Sequence, residues 1–235
     1  MYGRTQGPDA GGLTFTNVRT ILYDMGKGEE TRAAILDAGA NLASKLGLEG
    51  LTIGSLAEAT GMSKSGLFAH FGSREDLQLA VLEYGAQRFG AMVVEPALKV
   101  KRGLPRLRAM FSHWVDWTIA SGLPGGCILI SAAYEYDDRP GPIRDAVVRQ
   151  QKLGVSILEK AVRIAVEEGD LRADTDPAQI AFEMFGLVMV NHHHRRLLGD
   201  REAYRRSLDG FEALVARHLV TASIRNRASA AAAAR

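Results

Sequence analysis

Several features that mark whole classes of protein are scarce in this chain. Its 235 residues include a single cysteine, Cys127, which excludes an internal disulfide and suits a reducing cytoplasmic compartment. A continuous run of about 18 apolar residues, the length that crosses a membrane, is missing. The N-terminus also lacks the charged region and apolar stretch of a secretory signal, so we expect a cytoplasmic protein with no membrane partner.

Sequence signatures of common enzymes are missing as well. The nucleophile elbow G-x-S-x-G, the phosphate-binding loop G-x-x-x-x-G-K-[ST], the zinc motif H-E-x-x-H and a strand-associated G-x-G-x-x-G are all absent. Cys127 and His113 have the side chains of a catalytic thiol–imidazole pair, but nothing in the sequence indicates that they lie close together. We therefore expect no catalysis and no cofactor, and we keep an enzyme on an all-α scaffold as an alternative.

Three consecutive histidines, His192–His194, are the most conspicuous candidates for metal ligands. Adjacent residues on a helix point about 100° apart, so the three imidazoles cannot converge on one ion. Two acids, Asp200 and Glu202, follow in the next turn. Together with Arg195 and Arg196, the histidines are typical of a helix C-terminus beside a subunit interface, where positive charge complements the helix dipole. We expect no metal site.

The clearest local signals predict two short helices joined by a glycine turn. Thr52 is a favourable N-cap ahead of apolar residues at helical spacing, and Gly61 stands where that helix should end. Ser63 caps a second helix, in which Leu67 and Phe71 lie four residues apart and share the buried face. This spacing predicts a helix-turn-helix, whose second helix enters the major groove of DNA.

The combined order of these signals resembles the N-terminal DNA-binding domain of TetR-family transcriptional regulators, from Glu29 to Phe89. The matching pieces are the first helix ETRAAILDAGANLASKLGLEGLT, the pair IGSLAEATGMSKSGLFAHF and the opening SREDL of a fourth helix. Phe68 departs from the pattern, because many members carry a tyrosine there whose hydroxyl meets a phosphate; the phenylalanine leaves a contact between ring and sugar. The residues expected to contact DNA are Thr52, Ser63, Lys64, Ser65, Gly66, Phe68, His70 and Arg74.

Charge placement, rather than overall charge, supports this interpretation. The net charge of the chain is +2, and residues 27–75 carry five basic against six acidic side chains, so a broad basic stripe is absent. Lys64 and Arg74, however, stand near helix N-termini, where backbone N–H groups also attract phosphate. We expect modest non-specific affinity for DNA, with specificity supplied by base contacts and by the spacing of a dimer.

The chain divides into four parts in this interpretation. Residues 1–28 are expected to form a flexible N-terminal arm, and residues 29–75 the three-helix DNA-binding domain. Residues 76–224 form a larger ligand-binding and dimerisation domain that opens with a connecting helix at 76–90, and residues 225–235 form a tail. The predicted fold class is all-α, because no alternation long enough for a strand appears. Breaks rich in glycine and proline predict five helices in the larger domain, at 104–120, 127–136, 143–168, 178–198 and 201–224.

The helix at 104–120 is rich in aromatic residues that recur three apart and form a stripe. Core packing explains any one of them, but helices that carry such residues can also enclose a small-molecule pocket. No lysine or arginine interrupts 111–124, which favours an apolar or aromatic effector. The candidate ligand-binding residues are Met110, Phe111, Trp114, Trp117, Cys127, Tyr134, Phe185 and Met189.

Cys127 allows two interpretations. It opens a predicted helix, and a helix N-terminus lowers the pKa of a thiol, as a sensor of oxidants or electrophiles requires. A cysteine in a helical core is also a small hydrophobic residue, and we favour this second interpretation.

The resemblance implies a transcriptional repressor that binds an operator as a homodimer. A single helix-turn-helix reads little DNA, whereas a two-fold pair reads a palindrome. We expect the helices at 178–198 and 201–224 to form the dimer contact. The first of these is apolar over most of its length, so we expect it to be covered by the partner subunit together with the Phe211, Leu214 and Val215 face of the last helix. A small effector would release the operator by favouring a state in which the recognition helices no longer match the grooves. A DNA-binding protein without an effector is the main alternative.

Overall fold

The computed structural model describes residues 15–220, and their side chains from Gly28 onward. Over that range the chain forms helices joined by short turns, and one isolated antiparallel bridge pairs Leu171 with Leu219. The predicted all-α fold class is therefore confirmed. None of the helices between residues 15 and 220 combines the length and the apolar content that crossing a bilayer requires.

The first helix, α1, runs from Phe15 to Gly50 and changes direction at Gly47. Gly47 has φ +76°, and a Cβ placed there would lie 2.8 Å from Oε1 of Glu135, so both the backbone and the space require glycine. The helix begins at Phe15, inside the segment 1–28 that we expected to form a flexible arm. A helix that is already formed extends readily toward its N-terminus, because each added residue gains a hydrogen bond. Residues 1–14 lie outside the described range.

Two short helices, α2 (Ile53–Thr60) and α3 (Lys64–Phe71), follow α1. Thr52 accepts the N–H of Ser55 at 3.0 Å, and the Ser55 hydroxyl accepts the N–H of Thr52 at 2.9 Å. This reciprocal capping box fixes the start of α2. Gly61 ends the helix with φ +68°, as the sequence predicts.

The next two helix starts depend on serine caps. Ser63 accepts the N–H of Gly66 at 3.1 Å and begins α3. Helix α4 (Arg74–Phe89) begins in the same way, because Ser73 accepts the N–H of Asp76 at 3.0 Å and donates to its carboxylate at 2.6 Å. The predicted helix starts at Thr52, Ser63 and Ser73 are therefore confirmed.

Beyond α4 the chain builds the larger helical part of the molecule. A π-helical turn, Gly90–Val94, leads from α4 into the short helix α5 (Glu95–Leu98). Pro142 and Pro177 occupy first-turn positions, where the missing N–H of proline costs nothing. The remaining helices agree with the prediction to within a few residues except at the end of the last one: α6 (Leu104–Ala120), α7 (Ile128–Glu135), α8 (Pro142–Glu167), α9 (Pro177–Arg196) and α10 (Ala203–Ala216).

Helix α10 ends at Ala216, earlier than the prediction of a helix to residue 224. Two backbone hydrogen bonds replace the helical ones: Arg172 N–H donates to the His218 carbonyl at 2.8 Å, and Val220 N–H donates to the Asp170 carbonyl at 3.2 Å. Periodicity along one segment carries no information about such a pairing with a distant segment. Residues 221–235, which include the predicted tail, lie outside the described range.

The core of the larger part is built on aromatic side chains. Phe111 of α6 stacks on Phe211 of α10, with ring centroids 4.2 Å apart and an interplanar angle of 13°. Leu214 and Val215 are buried on the same side of α10. The amphipathic helix α10 thus uses its apolar side within its own chain, and this face is not available to a partner subunit.

Candidate DNA-binding surface and effector cavity

Helix α3 has a firmly packed apolar side and an open polar side. Leu67 and Phe71 are buried beneath it, whereas Lys64 and Ser65 are exposed on its first turn. Phe68 keeps 49% of its surface exposed, although phenylalanine is usually a core residue. A helix of this composition can enter a DNA groove, because its buried side holds it on the domain while its exposed side chains reach the DNA.

The other residues predicted to contact DNA lie in the caps and at the end of α3. The hydroxyls of Thr52 and Ser63 are engaged as N-caps, and Gly66 supplies the N–H that Ser63 accepts. His70 is half-buried, and its ring lies 6.2 Å from that of Phe71 at a tilt of 49°. These side chains shape the helix-turn-helix as well as its surface, so their substitution affects both.

Arg74 has partners that the sequence prediction did not foresee. Its guanidinium forms an ion pair with Glu49, with 2.9 Å between Nη2 and Oε1, and donates to the carbonyl of Leu51 at 3.3 Å. It also donates to the carbonyl of Glu49. Since 43% of its side chain stays exposed, the contact to phosphate remains a prediction for a residue that also ties α4 to the end of α1.

The carboxylate of Glu49 has two further partners, both in the segment that follows α7. It accepts the hydroxyl of Tyr136 at 3.2 Å and lies 3.8 Å from Nη1 of Arg139. The hydrogen bond from Arg74 is the main cause that lowers the pKa of Glu49. Burial, reinforced by nearby acids, raises the pKa of Tyr136 to about 12. The helix-turn-helix is thus fixed by charged groups to the segment that follows α7.

Helix α7 and the loop before it hold α1 on both sides of its kink. At the C-terminal end of α7, the Glu135 carboxylate accepts the N–H of Leu48 at 2.8 Å and that of Glu49 at 2.7 Å. Before its N-terminal end, Gly125 N–H donates to Oγ of Ser44 at 2.9 Å. A Cβ on Gly125 would lie 1.6 Å from the Ser44 carbonyl oxygen, so this approach needs glycine. Helix α7 and the loop before it are therefore tied to α1 by hydrogen bonds on both sides of the kink.

An apolar cavity of about 130 Å³ lies inside the larger helical part. Trp114 forms one wall, and its ring packs edge to face against Phe89 and Phe185, each with centroids 5.7 Å away. Gln151 stands at the edge, where its amide donates to the Leu129 carbonyl at 2.9 Å. Neither charged nor histidine side chains of the described chain line this cavity. Its lining suits an apolar guest with few polar groups.

Some of the predicted ligand-binding residues line the cavity and others do not. Phe111 packs in the core beside it, Trp117 is 1% exposed in that core, and Tyr134 is 68% exposed on the outer side of α7. None of these three lines this cavity. Residues three apart on α6 are displaced by about 60° around the helix axis and therefore face different neighbours. Contact of the three with an effector stays a prediction. The residues that do line the cavity are Met110, Trp114, Cys127, Phe185 and Met189.

Helix α8 and the π-helical turn supply lining that sequence reasoning missed. The available signal was Gly154, which lies inside the 26-residue helix α8, where glycine costs about 1 kcal/mol relative to alanine. A Cβ at Gly154 would meet nothing within 4 Å, so the glycine borders open space. The lining residues missed were Phe89, Gly90, Val93, Val94, Gln150, Gln151, Leu153, Gly154 and Ile157, with Ala86, Leu129, Ile130 and Leu158.

Cys127 caps α7 and lines the cavity with only 2% of its surface exposed. Burial raises the pKa of its thiol, against the lowering expected from a helix N-terminus. A protonated, buried thiol reacts slowly with oxidants and electrophiles. The structure therefore favours the interpretation of Cys127 as a small apolar residue.

The three consecutive histidines have three different environments. Nδ1 of His194 lies 3.4 Å from Oδ2 of Asp200, and His193 is exposed. His192 is half-buried, and its Nε2 has no hydrogen-bond partner among the described residues. Between residues 28 and 220, no three potential ligands are grouped closely enough to hold a metal ion.

The outer face of α9 is apolar and uncovered. Phe182 is 75% exposed and Val190 is 56% exposed, with Gly186 midway between them at helical spacing. Leu197 and Leu198 continue the exposed apolar surface beyond the helix end. A contiguous surface of this kind marks a site of association in soluble proteins.

Two family models match separate parts of the chain. Residues 35–81 match the model described as bacterial regulatory proteins, tetR family, which covers the helix-turn-helix. Residues 103–211 match the model described as tetracyclin repressor-like, C-terminal domain, which covers α6 to α9 and most of α10.

Individual relatives agree with these matches. The HTH-type transcriptional repressor AcnR of Corynebacterium glutamicum is 38% identical over 79 residues, which are 33% of this chain and 42% of AcnR. A TetR transcriptional regulator from Chloroflexus aurantiacus J-10-FL superposes with a TM-score of 0.76 at 22% identity, over 82% of this chain and 98% of the other. AibR in complex with isovaleryl coenzyme A and operator DNA gives a TM-score of 0.62 at 26% identity, over 80% and 97%.

These matches exclude the enzyme alternative, because the families and relatives concerned are transcriptional regulators. With both parts of the chain matched and the fold shared, the chain belongs to the TetR family of transcriptional regulators.

Proposed function

We propose that this regulator is a repressor that binds a palindromic operator as a homodimer and is released by a small molecule in the apolar cavity. The observation that carries DNA binding is helix α3, which exposes Lys64, Ser65 and Phe68 above the buried Leu67 and Phe71. The relative AcnR is itself named a repressor.

Lys64 is the residue best placed to read a base. A lysine on the first turn of a recognition helix reaches guanine O6 and N7 or a phosphate, and a good base contact discriminates by about 1–3 kcal/mol. Phe68 lies one turn further along the helix, where its ring can pack against a sugar. The remaining contacts position the domain on the backbone and come from Thr52, Ser63, Ser65, Gly66, His70 and Arg74.

The dimer that we propose uses the outer face of α9. Phe182, Gly186 and Val190 form an uncovered strip, and the glycine lets two such helices approach closely. A two-fold contact is isologous, so the same strip serves both protomers. Two recognition helices related by this axis read two half-sites about 34–36 Å apart.

The effector that we propose enters the cavity beside Trp114. Its apolar lining favours a hydrophobic or aromatic group. AibR, whose fold is similar, has been solved with isovaleryl coenzyme A and operator DNA together. That complex supports the idea that this fold accommodates both a small molecule and DNA.

Helix α7 is the element through which we propose that the two sites communicate. Leu129 and Ile130 of this helix line the cavity, and Glu135 at its end holds the backbone of Leu48 and Glu49. A guest that displaces α7 therefore displaces the end of α1. The coupling is reciprocal and has an ordinary size of about 1–3 kcal/mol, so operator DNA must change effector affinity by the same factor.

Selection of bound fragments from random DNA tests this function. We expect enrichment of an inverted repeat, whose affinity for the protein is then measured by fluorescence anisotropy at fixed salt. A small-molecule screen follows tryptophan fluorescence, and hits should weaken binding to the enriched repeat. Enrichment without any effect of cavity ligands would support a DNA-binding protein without an effector, and absence of any enriched sequence would contradict the proposal.

A further inference from the structure

A second recess of about 540 Å³ lies beside the apolar cavity, at the junction of the helix-turn-helix with the larger helical part. Leu46 and Gly47 of α1 form one side, and the outer turns of α7 form another. The third side is the C-terminal end of α9, which contributes His192, His193 and Arg196. We call this recess the cationic cleft.

Arg196 is the cation of the described lining of the cleft, and it has donors to spare. Arg196 uses one donor, Nη1, on the carbonyl of Pro124 at 3.0 Å and carries further donors on its guanidinium. The acid of the cleft is Glu135, and both of its carboxylate oxygens accept backbone N–H groups of α1. The only acidic side chain of the described lining is thus already engaged.

His192 lines the cleft and has a ring nitrogen without a hydrogen-bond partner in the described part of the chain. Its Nε2 is buried and has no hydrogen-bond partner among the residues between 28 and 220. Burial, followed by the charges of Arg196 and His193, lowers the pKa of His192. A buried polar atom without a partner is costly, and an anion at this place would both accept a hydrogen bond and offset the neighbouring charge.

The cationic cleft adjoins the apolar cavity. Ile130 and Met189 line both, so they form the boundary between the two spaces. Methionine is unbranched and adapts to irregular guests, which makes this boundary easy to open. One elongated molecule can therefore place an apolar end beside Trp114 and a charged end beside Arg196.

We propose that the cationic cleft binds the anionic group of the effector, which is accordingly an amphipathic anion with a short acyl or aryl chain. The inference rests on the proposed function and extends it from an apolar molecule to an acid. The anionic group is a carboxylate or the phosphate of an acyl carrier. Bound in the cleft, it faces Glu135 and repels the carboxylate that holds the N–H groups of Leu48 and Glu49, which loosens the hold on α1.

Three probes of equal chain length test the site: hexanoate, hexanoyl coenzyme A and 1-hexanol. Their affinities are measured by calorimetry on the full chain at fixed salt and pH 7. A charge-assisted hydrogen bond predicts that hexanoate or the thioester binds about ten- to a hundredfold more tightly than the alcohol. Preference for hexanoate identifies a free carboxylate as the anion, and preference for the thioester identifies the phosphate-bearing carrier.

Variants at Arg196 test whether the tighter binding of the anionic probes depends on this residue. Arg196→Gln should abolish most of the difference in affinity between the anionic probes and 1-hexanol. Arg196→Lys, which keeps the charge, should retain most of that difference. Arg195→Gln is the matched control, because Arg195 neighbours it on α9 but donates to the carbonyl of Arg201 and does not line the cleft. A thermal melt of each variant shows whether it folds.

Several outcomes separate this site from the proposed function. If 1-hexanol binds as tightly as both anionic probes and also weakens operator binding, the effector function stands and the cationic cleft is refuted. If an anionic probe binds in an Arg196-dependent way but leaves operator affinity unchanged, the site stands and control of DNA binding fails. Absence of binding by all three probes, or an equal loss in Arg195→Gln, contradicts the site.

Discussion

The carboxylate of Glu135 accepts the backbone N–H of Leu48 at 2.8 Å, across 87 residues of sequence. Glu135 is the last residue of α7, and Leu48 follows the kink at Gly47 in α1. The contact therefore ties the helix that borders the cavity to the segment that leads into the helix-turn-helix. Hydrogen-bonded contacts of this kind can carry energetic coupling between two distant sites.

Glu135→Gln should weaken that coupling. The amide keeps the size of the side chain but has one acceptor oxygen, so one of the two N–H groups of α1 loses its partner. We expect the effector to change operator affinity less than in the unsubstituted chain, and the free energy of unfolding to fall by about 1–3 kcal/mol. Glu159→Gln on α8 is the control. An effector response equal to that of the unsubstituted chain would contradict the role of Glu135.

Arg74→Ala should affect both folding and DNA binding. The guanidinium holds Glu49 and the carbonyl of Leu51, so its loss should lower the free energy of unfolding by about 1 kcal/mol in urea titrations. If Arg74 also contacts a phosphate, specific and non-specific DNA binding weaken alike, and the salt slope falls by about one unit. A change confined to one base position of the operator would show that the arginine reads sequence instead.

The exposed strip of α9 should hold the dimer together. Phe182→Glu places a charge in the centre of an apolar contact, where burying it without a partner is costly. Sedimentation at micromolar concentration should show a dimer for the unsubstituted chain and a monomer for this variant. Leu98→Glu, at a residue that is 53% exposed on α5, is the matched control and should remain dimeric. A stable monomer of the unsubstituted chain would refute the interface and the argument for a palindrome.

Gly154 offers a way to fill the cavity without disturbing its other walls. Since a Cβ at this position meets nothing within 4 Å, Gly154→Leu should occupy the open space and weaken effector binding at least tenfold, by about 1.4 kcal/mol or more. Gly154→Ala, the control, should keep effector binding and stabilise α8 by about 1 kcal/mol. Equal effector affinity in both variants, measured by tryptophan fluorescence, would place the ligand elsewhere.

The sequence predicts local structure here more fully than it predicts the cavity. Caps such as Thr52 and Ser63 act through neighbours three residues away, so a linear sequence contains the whole signal. The cavity depends on how distant helices meet. Phe111 and Trp114 are three residues apart, yet one stacks on Phe211 and the other faces the cavity. The ion pair of Arg74 with Glu49 also depends on tertiary packing, so it could not be predicted from the sequence.

Titration of the selected operator with the unsubstituted chain and with Lys64→Ala, at fixed salt, shows whether α3 reads the DNA. We expect an operator affinity about 5- to 150-fold lower for the variant, equivalent to one lost base contact of about 1–3 kcal/mol. Its dimer and thermal stability should be unchanged, since Lys64 is exposed on α3. Lys160→Ala, at another exposed lysine, on α8, should bind as the unsubstituted chain does. Equal operator affinity for all three proteins would contradict the assignment of α3 as the DNA-reading helix.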